Sequence, residues 1–139
     1  MTNYPSEHME QVKLFAWIKL KTQKYPQMAF IFAVPNGGMR SKVIGAKLKA
    51  EGVKRGVSDI CVPIPIAPYH GAWIEMKSQN PKATTSNEQK TFAKAMITNG
   101  YQVALCRGAD DAISFLSHYL KIKSWVLNVL NVLNYLNVI

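Results

Sequence analysis

The chain has 139 residues, 48% of them hydrophobic and 18% charged, which suits one folded domain with a real core and excludes a disordered polyelectrolyte. Seventeen Lys and Arg stand against eight Asp and Glu, a net charge of +9, and the cations crowd between Arg40 and Arg55, so a polyanionic partner such as nucleic acid is expected rather than mere solubility. Cys61 and Cys106 lie in apolar, strand-like runs without metal-ligand spacing, no run of about 18 apolar residues is present, and the start lacks a basic-then-apolar leader. A zinc site, a membrane span and secretion are therefore not expected, and a reducing cytoplasmic setting is.

In chain order, Ser6 is placed to cap a first helix in which Val12, Leu14, Phe15, Ile18 and Leu20 recur at helical spacing, and Tyr25-Pro26 ends it. Phe30 to Val34 reads as a buried strand, followed by the turn Pro35-Asn36-Gly37-Gly38. Ser41 caps a short basic helix that runs to Lys49-Ala50 and stops at Gly52. A second strand opens at Asp59 and is disturbed by Pro63 and Pro65, which cannot donate to a ladder. A turn at Pro68 to Gly71 leads to a third strand, Ala72 to Lys77. Ser86 begins a helix that ends at Asn99-Gly100, Tyr101 to Cys106 is a fourth strand, and Asp110 or Asp111 begins a last helix through Leu120. The order αβββαβ followed by a helix implies an α/β fold with a mixed sheet: the βββ stretch suits antiparallel pairing, and the helix between the third and fourth strands suits a parallel crossover.

Residues 1–122 are read as the domain and 123–139 as a tail, in which Asn128, Asn131, Asn134 and Asn137 recur every third residue. On a helix that spacing smears the polar stripe around the axis, so a partner-binding helix, a strand and a low-complexity segment all stay open.

The chemistry concentrates in two short segments. On a strand, Glu75 and Lys77 share one face while Ile74 and Met76 share the other, so a carboxylate and an ammonium project together from an otherwise apolar strand. Asp59 heads the preceding strand, straight after the turn Gly56-Val57-Ser58 and the basic segment Lys54-Arg55-Gly56. Two neighbouring carboxylates can hold a hard divalent cation through oxygen, and a cation there ionises water and neutralises phosphate charge. Lys77 can then act on the attacking water or the transition state. Glu-x-Lys alone is a common surface pair; the upstream acid, the basic turn and the helix that follows shift the balance toward a site. A tight hairpin around Tyr69, however, would pair Glu75 with Pro63, about four residues or roughly 13 Å from Asp59, so the acids meet only if the second strand bends or the register slips. His8, His70 and His118 show no ligand spacing and are read as structural or surface residues.

Asp59 followed by Glu75-x-Lys77 in an αβββαβ order resembles the PD-(D/E)xK nuclease superfamily, with its restriction-endonuclease-like core. More narrowly, Pro35-Asn36-Gly37-Gly38-x-Arg40, Gly52-Val53-Lys54-x-Gly56-Val57-Ser58-Asp59, Ile74-Glu75-x-Lys77, Glu88-Gln89 and Gly100-Tyr101 are similar to the virus-type replication-repair nuclease (VRR-NUC) domain, over about residues 7 to 120. Ser58 stands where that family usually has proline. The resemblance implies a Mg²⁺- or Mn²⁺-dependent phosphodiesterase of the stand-alone phage or bacterial type, similar to Holliday-junction resolvases, acting on branched DNA as a homodimer. A flap or single-strand nuclease, or a catalytically inactive nucleic-acid-binding module of the same fold, are the alternatives.

The resemblance also implies an acid on the first helix that completes the metal site with Asp59 and Glu75. Of Glu7 and Glu10, Glu10 leads directly into Gln11-Val12-x-Leu14 and is the choice. Gln89 has two readings, a capping-box residue with Ser86 and a family glutamine beside the catalytic Asp59, Glu75 and Lys77. Asn36, Gly37, Gly38, Arg40, Lys42, Lys47, Lys54 and Arg55 are the expected contacts to the DNA backbone. The apolar residues of the last helix, Ile113, Phe115, Leu116, Tyr119 and Leu120, exceed what one core face needs and are the candidate dimer surface.

Overall fold

The computed structural model describes residues 3–36 and 40–122; the 123–139 tail and Gly37-Gly38 fall outside the described residues. Helix α1, Glu7–Thr22, starts where Ser6 Oγ accepts the Met9 amide proton. It buries Glu10, Leu14, Trp17 and Ile18, one stripe at helical spacing. Next comes a 3-10 turn, Pro26–Phe30, and then strand β1, Phe32–Ala33. The long buried strand expected from Phe30 to Val34 is not formed. The proline opens a turn that closes locally through Ile31 N to Met28 O, only Met28 and Ile31 point inward, and Phe30 and Phe32 remain exposed.

The basic helix α2, Lys42–Ala50, is capped by Ser41 and buries no residue. Strands β2, Ile60–Val62, and β3, Ala72–Lys77, precede helix α3, Asn87–Thr98, strand β4, Gln102–Arg107, and helix α4, Ala109–Tyr119. The sheet order is β1-β2-β3-β4, with β1-β2 and β2-β3 antiparallel and β3-β4 parallel through the α3 crossover. Alternation along β3 settles both faces: Ile74 and Met76 join the core under α1 and α4, while Trp73 turns to the other side and meets Phe92 of α3 edge-on. No helix among the described residues is long and apolar enough to cross a membrane.

Two expectations about α4 are corrected. The helix begins at Ala109, after Gly108 at φ 90°, and neither Asp110 nor Asp111 caps it. The carboxylate of Glu10, from α1, accepts the Ala109 amide proton instead. The apolar face proposed for dimerisation is consumed within the protomer: Ile113, Leu116, Tyr119 and Leu120 are buried, and Phe115 packs on the core and stacks with Tyr119.

Candidate active site

The register of β2 against β3 brings the two acids together. Ile60 pairs with Ile74 and Cys61 with Trp73, so one step further Asp59 lies opposite Glu75. The feared separation does not arise, because the link between β2 and β3 is not a tight hairpin. It is a longer loop with a local Ile66-Tyr69 bridge and a cis Ala67-Pro68 bond, and its length shifts the pairing by four residues from the tight-turn register. Asp59 is further fixed by the Met76 amide, which donates to Oδ2 at 2.7 Å.

Glu75 and Lys77 are both buried, on the α3 face of the sheet. Lys77 Nζ lies 3.4 Å from Glu75 Oε1 and 3.4 Å from Gln89 Oε1. Gln89 Nε2 donates to the same Glu75 Oε1, and its Oε1 also accepts the Ser86 amide proton at 2.8 Å. The two readings of Gln89 are thus compatible in one side chain: its oxygen closes the capping box of α3 while its amide nitrogen reaches the acid. The start of α3 is seated by Gly56. At φ 86° and with a would-be Cβ only 2.5 Å from the Glu88 carbonyl, that position admits glycine alone, and it presses the basic turn against the helix that carries Gln89.

Burial pushes the Glu75 carboxyl up to about 7, and the neighbouring Asp59 charge adds to the rise while Lys77 opposes it. Among the described residues Glu75 Oε2 is buried with no hydrogen-bond partner, and no three His, Cys, Asp or Glu side chains converge. A paired set of carboxylate oxygens, one of them unsatisfied, suits a hard cation that keeps several waters, as magnesium does. The residues present therefore fit a divalent ion. An open cavity that Asp59 borders is also lined by Glu7, His8, Gln11, Val12, Phe15, Val34, Pro35, Asn36 and Met76.

No family model matches the sequence, and no curated protein does. A solved structure described as a VRR_NUC domain protein is 27% identical, with a TM-score of 0.71, and the alignment covers 87% of this chain and 93% of that one. The chain carries a VRR-NUC domain.

Within this VRR-NUC domain, a nuclease-type unit, Glu10 does not join the acid pair. Its two oxygens are taken, Oε2 by the Ala109 amide and Oε1 by Gln79 Nε2 at 3.3 Å. Glu7 is the α1 acid that borders the cavity with Asp59 and Met76, its Oε1 accepting the Ser78 amide proton at 3.4 Å. Spacing could have separated them. Glu7, Gln11 and Phe15 fall four apart on the cavity side, whereas Glu10 continues the buried Leu14-Trp17-Ile18 stripe. Glu10→Ala is expected to leave the α4 amide without an acceptor and to cost about 1–3 kcal/mol of stability, read as a lower urea midpoint, with cleavage by the folded fraction retained. Glu7→Ala is expected to do the reverse.

The cations divide as well. Arg40, Lys42, Lys54 and Arg55 line one open groove together with Lys49, while Lys47 does not border it. Asn36 borders both the groove and the acid cavity and is held by donating to the Val57 carbonyl at 2.8 Å. Arg40 donates to the Pro35 carbonyl at 2.8 Å, which ties that end of the groove to the segment that follows β1.

Proposed function

We propose that this VRR-NUC domain hydrolyses phosphodiester bonds of branched DNA with Mg²⁺ or Mn²⁺. The observation that carries the reading is Asp59 opposite Glu75, with Lys77 held between Glu75 and Gln89. Asp59 and Glu75 would hold the ion, and Glu7 borders the open cavity that Asp59 faces. When bound, the ion makes water nucleophilic and offsets charge on the phosphate oxygens. Lys77 has three protons to donate. Contacts to Glu75 and Gln89 aim its ammonium, and a remaining proton can steady the attacking water or the phosphate. Gln89 positions Lys77 and Glu75 relative to each other without reacting.

The groove supplies sequence-independent affinity for the backbone. Replacing Arg40, Lys42, Lys54 and Arg55 together is expected to flatten the dependence of log Kd on log salt by about 0.9 for each lost phosphate contact on duplex DNA, whereas Lys47→Ala leaves the slope near wild type. Equal changes from both variants would move the DNA surface elsewhere.

One protomer offers one such site, and resolving a four-way junction takes cuts on two opposing strands, so the proposal extends to a homodimer with two-fold symmetry. Its interface must lie outside α4, whose apolar face is internal. A panel of linear duplex, flap, splayed arm, bubble and four-way junction, with Mg²⁺ and with EDTA, tests the reading. Metal-dependent cutting confined to branched substrates supports it, and paired cuts on an end-labelled junction by a dimer in light scattering support the resolvase form. Cutting that persists in EDTA refutes the metal mechanism; a monomer that nicks every branched substrate alike refutes the resolvase form only.

A further inference from the structure

Phe32, on the edge strand β1, is 50% exposed, and Phe30, at the end of the preceding 3-10 turn, is 70% exposed. Phe32 has a defined relation to the acids. It pairs with Cys61, two residues beyond Asp59 on β2, and Val34 continues that pairing by donating its amide proton to the Asp59 carbonyl at 2.7 Å. Phe32, Cys61 and Trp73 therefore form one row of a single sheet face, and Val34, Asp59 and Glu75 form the next. Phe32 is a diagonal neighbour of Asp59, with backbone positions roughly 7–8 Å apart. On the far side of Asn36 lies the groove of five cations.

We propose that Phe32 stacks an unpaired nucleobase next to the scissile phosphate, so that the substrate of this site is a strand with at least one unpaired nucleotide at the cut. The inference rests on the nuclease reading and narrows it. A cationic groove that follows the backbone, joined to aromatic planes, is the arrangement that binds single strands without reading sequence. A base inside a duplex has neighbours on both faces and leaves none for Phe32; a base at a branch point or on a free arm has a face open. A protein partner is the weaker occupant. Two phenylalanines beside a two-residue edge strand fall well short of the roughly 800 Å² per partner of a standard interface, and the adjoining charge is of one sign.

The test uses the full chain with Ca²⁺ in place of Mg²⁺ and two DNAs, a blunt duplex and a splayed arm carrying 2-aminopurine at the first unpaired position. Wild type is expected to bind the splayed arm more tightly and to change the 2-aminopurine emission. Phe32→Ala is expected to weaken splayed-arm binding about tenfold, to abolish the emission change and to leave duplex binding unaltered; Phe32→Tyr retains all three wild-type properties and Phe32→Leu none of the stacking. Equal losses on both DNAs, or Phe32→Leu matching wild type, would overturn the stacking role while leaving the nuclease reading intact. Conversion of a dimer to a monomer by Phe32→Ala would assign the surface to a second copy and overturn it likewise. No binding of either DNA by the wild-type chain would remove the nuclease reading together with this one.

Discussion

Lys77→Ala is expected to lower single-turnover cleavage by roughly 10²–10⁴-fold at saturating Mg²⁺, the range typical of a positioned proton-handling group. Lys77 is buried on the third strand, and its ammonium is held 3.4 Å from both Glu75 Oε1 and Gln89 Oε1, so no surface cation can substitute for it. Its removal acts twice. The group that handles water or phosphate is gone, and Glu75 loses the cation that favours its ionised form. The variant should therefore also need more metal for half-maximal rate. Lys77→Arg is expected to remain defective, because a planar fork cannot occupy the point position of an ammonium between two oxygens. Asp59→Asn separates structure from chemistry at the other acid: the amide oxygen can still accept from Met76, so folding is retained while metal-dependent cleavage is lost. Near-wild-type turnover by Lys77→Ala at saturating metal would remove Lys77 from the mechanism.

Metal and pH are expected to exchange roles at Glu75. Its folded value of about 7 lies above the ordinary 4.5, so between those values the folded chain binds more protons than the unfolded one. The contribution of this group to stability is then full below about pH 4.5 and is lost as pH rises through 7. In EDTA, Glu75→Gln should accordingly raise Tm at pH 8 and change it little at pH 4.5, because a neutral amide removes the cost of a buried charge. Mg²⁺ or Mn²⁺ favours the ionised acid, so it should raise the wild-type Tm more at pH 8 than at pH 5 and should scarcely affect Glu75→Gln. Cleavage follows the opposite order: Glu75→Gln, the more stable variant without metal, has no activity at either pH. Ca²⁺ is expected to raise Tm without supporting turnover, because its looser coordination polarises water less. A metal-induced shift that is equal in both proteins would place the ion away from Glu75.

The sequence by itself determined the local and periodic features. Ser6, Ser41 and Ser86 each cap the helix expected of them, since a short hydroxyl before an amphipathic run satisfies amides within three residues. The alternation of Ile74 and Met76 against Glu75 and Lys77 reports which faces of the third strand are core and site, because a strand's side chains alternate whatever its partners. The order of elements implied antiparallel pairing and then a parallel crossover for the same local reason.

Only the tertiary structure decided what depends on residues far apart in the chain. The meeting of Asp59 and Glu75 rests on a pairing register set by the length of the 63–71 loop, which no residue of either strand encodes. Glu10 reads as a site acid in the sequence because it leads directly into Gln11-Val12-x-Leu14; the free amide at Ala109 that claims it is 99 positions away. The last helix likewise takes its cap from that glutamate rather than from its own Asp110 or Asp111, and its apolar surplus is absorbed because α1 and the sheet cover it from two sides. Phe30 and Phe32, apolar enough to pass for core, stay exposed because Pro26 starts a turn where a strand was expected and leaves β1 two residues long at the edge. In each case propensity and periodicity fix what a segment is, and packing fixes what it touches: an amide's acceptor, a carboxylate's neighbour and a phenylalanine's exposure are properties of pairs brought together by the fold.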